Sequence, residues 1–324
     1  IMGGKMFFKN KNPKPTIEIF SDKKEIDLSV YVPKVIKETH CDLSFSEKIY
    51  LSLKGCALGD FAGQPYEFTS LYQCRGIEPR ELYKFAEDAT DDTILTCATV
   101  KGLVLKLNMK NGENNPYADM YRQYAKKYPN PLGGYGPRFE TWVYYDKNPK
   151  SCGNGSAMRV APCGCLYALE DVIKAAYESA ACTHSHPEGI KGAIVTAVCI
   201  WMAFQGYSKK EIKSYAADMY YDSPYSPKLP WKKLIEYQEV QGDPALCQIT
   251  VPMAISCFVN SRNYEDCILK AIQFGWDTDT QAAIAGSLAG AYYRQFGAVS
   301  EEKWRKLKKN EYIKHIVESL SFDR

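Results

Sequence analysis

Residues 277–291 read DTDTQAAIAGSLAGA, an acidic piece followed by a run of small and apolar residues. Asp and Thr are favoured at the cap and first turn of a helix, and the residues that follow are apolar at helical spacing. Small side chains allow the backbones of neighbouring elements to approach closely. We therefore predict a buried helix that begins at the acidic piece and packs tightly against the rest of the fold.

A second acidic piece, Thr90-Asp91-Asp92-Thr93, precedes another helical pattern far upstream in the chain. Residues 94–105 read ILTCATVKGLVL, so Thr90 to Asp92 fall at a helix cap and first turn. Taken singly, each acidic piece is most simply an ordinary helix cap. The two pieces together hold four aspartates, and four carboxylates gathered without a cation would repel each other and take up protons.

The residue types of the two pieces suit a hard divalent cation. Mg²⁺, Mn²⁺ and Ca²⁺ bind several oxygen ligands, which Asp carboxylates and Thr hydroxyls supply. Neither piece contains Cys or His, the ligands of softer metals. The sequence therefore predicts that the two pieces converge in space as two halves of one metal site.

Helical periodicity extends over most of the chain. The 324 residues are 45% hydrophobic and 24% charged, enough for one large domain or two small ones. Between Phe45 and about Gly297 almost every segment has apolar residues at helical spacing, and no strand–helix–strand alternation is evident. Helices are predicted to begin at Ser46 and to occupy 166–183, 189–205 and 266–274, with long loops at 130–137 and 223–227. We predict an all-α fold.

Residues 1–45 differ from the rest and are assigned to an N-terminal extension of unknown role, which leaves 46–324 as the helical domain. The extension is polar and rich in Lys. Its breaker run at 11–16 is followed by Ile17-Glu18-Ile19-Phe20, whose alternation favours a β conformation.

Charge and cysteine usage limit the compartment and the partners. A net charge of +3 with scattered Lys and Arg is not a nucleic-acid footprint, and the basic stretch 303–309 is interrupted by Trp304 and Leu307. Many of the twelve cysteines lie in apolar helical stretches, which favours a reducing compartment. No uninterrupted apolar run of membrane-spanning length and no signal-peptide core are evident. We expect a cytoplasmic protein without a nucleic-acid or membrane partner.

A glycine-rich helical pattern ends just before a glutamate. Gly55, Gly59 and Gly63 share one helical face, and Pro65 ends the helix, so Glu67 is expected on a loop where it could swing. The simpler alternative for Glu67 is a solvated loop side chain. Asp60 lies within the glycine face and is expected to be structural.

Two further motifs suit ligand contacts. In Gly153-Asn154-Gly155-Ser156-Ala157-Met158-Arg159-Val160, two glycines lead into a helix, and exposed N–H groups there can bind phosphate. The motif matches neither the Walker pattern nor the dinucleotide fingerprint, so a plain turn is the alternative. His184, in Thr183-His184-Ser185-His186-Pro187, can hydrogen-bond a ligand or cap the preceding helix.

These motifs, in this order, resemble the ADP-ribosylglycohydrolase family, which includes the dinitrogenase reductase-activating glycohydrolases. The matching pieces lie at 55–67, 90–93, 153–162, 183–184 and 277–290. The resemblance implies a single orthogonal helical catalytic domain with a central cleft that holds two Mg²⁺ or Mn²⁺ ions. It further implies hydrolysis of the bond between the anomeric carbon of ADP-ribose and its acceptor, an ADP-ribosylated protein side chain or small molecule.

The resemblance also assigns roles to residues of this chain. Six residues look like metal ligands, namely Thr90, Asp91, Asp92, Asp277, Asp279 and Thr280. Glu67 looks like the mobile acid that approaches the scissile bond, with Asp91 and Asp279 as its catalytic neighbours. The substrate-binding set comprises Ser151, Gly153, Asn154, Gly155, Ser156, Ala157 and Met158 around the diphosphate, with His184 at the nucleotide.

Two positions depart from the family pattern. Trp276 stands where a glycine usually precedes the acidic piece, and we expect its side chain to wall the cleft or alter the choice of acceptor. Cys152 stands where an aromatic residue is frequent, so adenosine stacking is expected instead from Tyr135 and Phe139 in a loop spanning 133–142.

Two alternative functions stay open at the level of sequence. One is a non-catalytic ADP-ribose binder or structural relative, although such a protein need not retain the metal ligands and Glu67. The other is a dinuclear phosphoesterase, which is disfavoured because no His-rich ligand set accompanies the carboxylates. The acceptor linkage (arginine nitrogen, serine oxygen or acetyl ester) and the choice between Mg²⁺ and Mn²⁺ are left undecided.

Overall fold

The computed structural model describes residues 26–37, 41–109, 115–145, 150–236 and 242–320. The predicted breaker run at 11–16 and the β-prone segment at 17–20 lie outside these ranges. The described residues form helices and no strand, with two isolated bridges, Thr90 to Leu132 and Gly153 to Leu246. The predicted all-α fold is confirmed.

The described part of the chain contains fifteen α-helices and four short 3₁₀ segments. The α-helices, in order, are α1 Phe45–Gly63, α2 Leu71–Arg75, α3 Asp91–Asn108, α4 Pro116–Lys127, α5 Pro137–Tyr145, α6 Gly155–Met158, α7 Leu169–Ala181, α8 Pro187–Phe204, α9 Lys209–Met219, α10 Trp231–Ile235, α11 Cys247–Val259, α12 Tyr264–Phe274, α13 Thr278–Tyr293, α14 Ala298–Leu307 and α15 Glu311–Ser319. The 3₁₀ segments are Leu28–Tyr31, Gln64–Tyr66, Pro79–Glu81 and Ala161–Cys165.

The predicted helices occur within three residues of their expected limits. The helix predicted to begin at Ser46 begins at Phe45, because the Ser44 side chain accepts from the Glu47 backbone N–H while the Glu47 carboxylate accepts from that of Ser44. Such reciprocal capping satisfies N–H groups that the first turn of a helix leaves unpaired.

The predicted loop over 133–142 is wrong beyond Gly136. Pro137 begins α5, since a proline in the first turn gives up no helical hydrogen bond. Phe139, Trp142 and Val143 then bury one face of this helix, at the three- and four-residue spacing of helical neighbours. The loop therefore ends at Gly136.

Helices α1 and α13 pack with their backbones in contact at the centre of the fold. A methyl group added to Gly55, Gly59 or Gly63 would overlap the carbonyl of Gly286, Ala282 or Thr278 of α13. Small residues on both helices therefore make the close approach possible. Because Glu67 follows α1 and Asp277 precedes α13, this packing sets the distance between them.

Residues 26–37 lie against the helical domain. Leu28 is buried in the core, and the Tyr215 hydroxyl donates to the Tyr31 carbonyl at 3.0 Å. The backbone N–H of Lys37 donates to the Tyr207 hydroxyl at 2.8 Å. The boundary at residue 45 stays a prediction.

One helix has the length and composition of a membrane span. In α8 the mean hydropathy is 1.3, yet 83% of the helix is buried inside the protein, as is common for a central core helix. All twelve cysteines are free thiols, and most of them are buried.

Candidate active site

Asp60 of α1 holds the first acidic piece in place. Its carboxylate accepts hydrogen bonds from the backbone N–H of Thr90 at 3.0 Å and that of Thr93 at 3.1 Å, and from the Thr93 hydroxyl at 2.5 Å. These contacts fix the start of α3, where the Thr90 side chain caps the helix by accepting from the Asp92 N–H. Asp60 therefore has the structural part that its place in the glycine face suggested.

The second acidic piece is tied to both α1 and its own helix. The Thr278 hydroxyl donates to the Gly63 carbonyl at 2.8 Å, which links the start of α13 to the end of α1. The side-chain amide of Gln281 donates to the carbonyls of Gly275 and Asp277, at 2.6 and 3.0 Å. The backbone that carries Asp277 and Asp279 is thus held from two sides.

The two acidic pieces meet at Asp92. Its Oδ2 accepts from the Thr280 hydroxyl at 3.3 Å and from the Thr90 hydroxyl at 3.2 Å. Its Oδ1 is buried and has no hydrogen-bond partner in the described part of the chain. A buried carboxylate oxygen without a donor is costly, and a cation at this point would satisfy it.

A second group of carboxylates lies beside Asp92. Glu67, Asp277 and Asp279 each place a carboxylate oxygen within 4.8 Å of the other two, which is close enough for one metal ion to bridge them. The donor set is oxygen only, so it fits a hard divalent cation. These residues could hold a metal ion together with Asp92.

Glu67 lies on a turn that is fastened to the second acidic piece. The turn follows Gln64–Tyr66, and the Phe68 N–H donates to the Trp276 carbonyl at 2.6 Å. Phe68 and Trp276 have left-handed backbone conformations, with φ of 49° and 66°. Since only glycine adopts these angles without strain, the usual glycine at position 276 has a conformational reason.

Trp276 is not among the described residues that line the cavity, so the prediction that its side chain walls the cleft is wrong, whereas its effect on the choice of acceptor stays a prediction. Its ring is half-buried, with its centroid 5.8 Å from that of Phe274.

Burial raises the pKa of Glu67 and of the four aspartates of the two acidic pieces, and repulsion between these groups adds to the rise for all of them but Asp277. Burial, followed by the charges of Asp277 and Asp60, raises the pKa of Glu67 to about 7. Burial and the charges of Asp60, Glu67 and Asp277 raise the pKa of Asp91 to about 8. The pKa values of Asp92 and Asp279 are raised well above the usual range, again by burial first and neighbouring carboxylates second. A bound cation would reverse these shifts, because it favours the charged forms.

The glycine turn is less open than the sequence suggested. The N–H of Gly153 donates to the Ser151 hydroxyl at 3.1 Å, and that of Asn154 to the Ala245 carbonyl at 2.7 Å. The helix behind the turn, α6, has only four residues, so it supplies little dipole for a phosphate. The Asn154 side chain donates to Asp277 at 2.7 Å and to Thr250 at 3.0 Å, which connects the turn to the carboxylates.

The two histidines of the 183–187 segment have different surroundings. His186 caps the N-terminus of α8 by accepting from the Glu188 N–H at 3.1 Å. His184 is buried, and its Nδ1 lies 2.7 Å from the Thr183 hydroxyl, which also accepts from the Arg159 guanidinium at 2.6 Å. Capping therefore explains His186, whereas His184 lies beside the glycine turn.

A cavity of about 660 Å³ connects these groups. Most of the predicted site residues line it, namely Glu67, Asp91, Asp92, Tyr135, Ser151, Gly153, Asn154, Gly155, Met158, His184, Asp277, Asp279 and Thr280. Thr90, Ser156 and Ala157 do not line it: Thr90 lies behind Asp92, and the Ser156 hydroxyl donates to the Gly189 carbonyl at 2.7 Å. The roles assigned to all of these residues stay predictions.

The cavity also contains residues that were not predicted. Phe68, Arg138, Arg159 and Asp243 line it, beside Phe139 of α5, which was predicted to stack with adenosine. Arg159 had a detectable signal, since it lies within the quoted glycine motif, although no role was assigned to it. A larger cavity, of about 940 Å³, lies on the other side of the Glu67 turn around Leu71 and Tyr72, away from the acidic cluster.

Comparisons with known proteins show which sequences and which fold this chain resembles. The sequence model of the ADP-ribosylglycohydrolase family matches residues 42–322. The chain is 30% identical over 312 residues to ADP-ribosylhydrolase ARH3 from Homo sapiens, covering 74% of this chain and 84% of the relative. It is 28% identical over 181 residues to ADP-ribosylarginine hydrolase Tri1 from Pseudomonas putida, covering 55% of this chain and 47% of the relative. A solved structure described as an ADP-ribosylglycohydrolase-related protein complex shares the fold, with a TM-score of 0.62, 23% identity and coverage of 85% of this chain and 97% of that one.

Proposed function

Because the chain belongs to the ADP-ribosylglycohydrolase family, we propose that it is a metal-dependent hydrolase that releases ADP-ribose from an ADP-ribosylated protein side chain or small molecule. The observation that carries the metal dependence is the meeting of two remote acidic pieces. Asp92 and Thr280, 188 residues apart, are in direct contact, and Asp92 Oδ1 has no donor among the residues that the structure describes.

The proposed cofactor is a pair of Mg²⁺ or Mn²⁺ ions. Their ligands would come from Asp91 and Asp92 on α3 and from Asp277, Asp279 and Thr280 at α13, with the hydroxyl of Thr90 as the sixth predicted ligand. When bound, such ions hold substrate hydroxyls and lower the pKa of a water molecule. Asn154 orients Asp277 through its hydrogen bond, as a residue behind the ligand shell commonly does.

Glu67 is the residue proposed to move the proton. It lies on a turn at the edge of the carboxylate cluster, and in the metal-free protein burial raises its pKa to about 7. A carboxyl group within hydrogen-bond reach of the reacting atoms can donate or accept that proton. Cleavage at an anomeric carbon builds positive charge on the sugar, which the carboxylates around Glu67 stabilise.

The cavity is of a size and composition suited to ADP-ribose. Its volume of about 660 Å³ lies within the range of small-molecule sites. Tyr135 and Phe139 line it with ring centroids 5.4 Å apart, and they are the residues proposed to stack with adenine. The Tyr135 hydroxyl donates to the Tyr128 carbonyl at 2.8 Å, which fixes the ring at the cavity wall.

The relatives differ in whether their names specify an acceptor linkage. One relative is named an ADP-ribosylarginine hydrolase, and the others of greater coverage carry the broader name ADP-ribosylhydrolase. We therefore propose testing ADP-ribosylated arginine, ADP-ribosylated serine and O-acetyl-ADP-ribose side by side. A non-catalytic ADP-ribose binder is the alternative function, and it would release nothing from any of the three.

The decisive experiment measures free ADP-ribose after incubation with each substrate, in Mg²⁺, in Mn²⁺ and in EDTA. We expect release from at least one substrate, lost in EDTA and restored by the metal. Asp91→Asn and Asp279→Asn should lower release by about 100-fold or more, since even residues behind the ligands contribute 10- to 100-fold. The exposed Asp222→Asn is the matched control and should retain full activity. Unchanged release in EDTA or in Asp279→Asn would rule out the metal assignment.

A cytoplasmic location is also proposed, supported by the twelve free thiols. Fractionation of cells that express the tagged chain would test it.

A further inference from the structure

Arg159 is a buried cation that forms no salt bridge among the described residues, although its charge opposes the rise in the pKa of Asp91. Its side chain is 1% exposed, and no carboxylate lies within ion-pair distance of it in the described ranges of the chain. The guanidinium carbon lies 3.9 Å from the ring centroid of Tyr121 and 5.6 Å from that of Phe139. Its Nε has no hydrogen-bond partner among the residues described. An apolar side chain would fill this space at lower cost, so packing alone does not explain an arginine here.

The guanidinium is joined to His184 through one hydroxyl. Arg159 Nη2 donates to Thr183 Oγ1 at 2.6 Å, and Thr183 Oγ1 lies 2.7 Å from His184 Nδ1. All three side chains are buried, and Arg159, Thr183 and His184 line the same cavity.

The donors and acceptors in the hydrogen bonds that join Arg159, Thr183 and His184 indicate the tautomer of the His184 ring. The Thr183 hydroxyl has one proton to donate and accepts from Arg159, which has donors only. If His184 Nδ1 carried a proton, the buried hydroxyl would accept twice, and its own proton would be left with the Cys182 sulfur, which is a weak acceptor. The stronger arrangement has Thr183 donate to Nδ1, which leaves the proton of a neutral ring on Nε2.

The Nε2 atom faces the glycine turn. A methyl group placed on Gly155 would lie 3.2 Å from it, and one placed on Gly153 would lie 3.8 Å from it. An N–H at this position adds a donor to a turn whose own Gly153 and Asn154 N–H groups are already used within the protein. Burial, followed by the nearby Arg159 charge, also lowers the pKa of His184 well below its ordinary value, in keeping with a neutral ring.

We propose that Arg159 is a positioning residue for substrate binding: through the Thr183 hydroxyl it holds His184 as the neutral Nε2–H tautomer, which donates that hydrogen to an anionic oxygen of the ligand at the glycine turn. The identity of the ligand, ADP-ribose with its diphosphate, rests on the proposed function. The tautomer does not, since it follows from contacts within the chain.

The first test determines the tautomer of the His184 ring directly, in the protein without ligand. Nitrogen-15 NMR of labelled histidine at neutral pH distinguishes the two tautomers, and loss of a signal in His184→Gln identifies His184 among the chain's four histidines. We expect a protonated Nε2 in the native protein and a mixture of tautomers in Arg159→Met. A native ring protonated on Nδ1, or an unchanged ring in Arg159→Met, would overturn the proposal.

The second test measures dissociation constants by calorimetry, in the presence of Mg²⁺, for ADP-ribose and for adenosine, which has no phosphate. Arg159→Met should weaken ADP-ribose binding by about tenfold, the value of one hydrogen bond to a charged group, and change adenosine binding by less than twofold. Its melting temperature should be unchanged or higher, because an unpaired buried charge is removed. An equal loss for both ligands, or a fall in stability without loss of ADP-ribose binding, would mean that Arg159 is structural.

Threonine variants and a second arginine provide controls. Thr183→Val removes the hydroxyl that joins Arg159 to His184 and should weaken ADP-ribose binding as much as Arg159→Met does. Thr183→Ser keeps the hydroxyl and should retain the affinity for ADP-ribose. This pair decides the matter if Arg159→Met does not fold. Arg122 lies 4.0 Å from the Trp142 ring centroid, so Arg122→Met removes a similarly stacked guanidinium and should leave ADP-ribose binding unchanged. If the native protein binds no ADP-ribose, the proposed function fails, and the ring tautomer alone decides the part played by Arg159.

Discussion

At the scale of single residues, Trp276 shows how backbone conformation positions the site. Its φ of 66° lies in the left-handed region, which costs a residue with a Cβ about 1–2 kcal/mol. The same residue offers its carbonyl to the Phe68 N–H, and Phe68 directly follows Glu67. The strained backbone therefore holds the Glu67 turn beside the second acidic piece.

Substitutions at Trp276 should separate the backbone strain from ring packing. Trp276→Gly and Trp276→Ala both lose the contact with Phe274, but only alanine keeps the Cβ that opposes a left-handed backbone. We expect Trp276→Gly to be the more stable of the two by about 1 kcal/mol, measured by denaturant unfolding.

Trp231 is the matched control for this comparison. Its ring also lies 5.8 Å from that of Phe274, but it begins helix α10. There the order should reverse, with alanine at least as stable as glycine, because a helical backbone favours alanine. The same order at both positions would mean that the backbone at 276 is not strained.

At the scale of elements, the contact between α1 and α13 determines where the acidic pieces meet. Gly59 lies at the centre of the contact, against the Ala282 carbonyl. The neighbouring Asp60 holds the start of α3 through Thr90 and Thr93. One short stretch of α1 therefore positions α3 and α13. A shift of α1 would move the carboxylates at the starts of these two helices.

Gly59→Ala should destabilise the fold and disturb the site together. The added methyl group would overlap a backbone carbonyl, which cannot rotate away as a side chain can. We expect a loss of about 3 kcal/mol in the free energy of unfolding, at the upper end for overpacking, and weaker Mn²⁺ binding in the folded fraction.

Gly136→Ala is the control for this substitution. Gly136 has nothing within 4 Å of the added methyl group and has no left-handed backbone, so its stability should change by less than about 0.5 kcal/mol. Equal effects at the two positions would show that α1 and α13 do not depend on the small residue at 59.

At the scale of the whole molecule, the cleft gathers segments from Glu67 to Thr280 around one set of buried carboxylates. In the metal-free protein these groups repel each other, and burial raises the pKa of Glu67 to about 7 and that of Asp91 to about 8. Unfolded Asp and Glu have pKa values of about 4. The folded protein therefore binds more protons than the unfolded chain between pH 4 and 8, and its stability should fall as pH rises.

The stability of the molecule should accordingly depend on pH in a way that metal removes. In EDTA we expect the melting temperature to fall by about 5 °C between pH 5 and pH 8. With Mg²⁺ or Mn²⁺ the fall should vanish or reverse, because the ions bind the deprotonated carboxylates and release protons. Asp92→Asn should make the EDTA profile less steep, because one of several buried carboxyl groups is removed, and should weaken the metal effect. A metal-free profile that rises over this range would contradict the buried-carboxylate description.

Much of the helical order was predictable because it is local. The starts of the helices after Thr90 and Asp277 follow from capping residues and apolar spacing within a few residues of each other. The loop predicted over 133–142 was wrong beyond residue 136. The helix-breaking residues at 133–136 suggested that the loop continues, whereas Pro137 begins α5. The position of Asp60 behind Thr90, and the link from Arg159 to His184, join side chains whose spacing in the sequence carries no signal.

The amino-acid order by itself determined which segments become helices, where acidic residues stand at their ends, and that small residues permit α1 to contact another backbone. Only the tertiary structure decided that the contacted helix is α13, that Asp92 meets Thr280, and that the ring of Trp276 packs beside that of Phe274. The reason is that caps and periodicity act between near neighbours in the chain. The carboxylate cluster, by contrast, exists only once distant helices share one core, where burial raises the pKa of every acid in it.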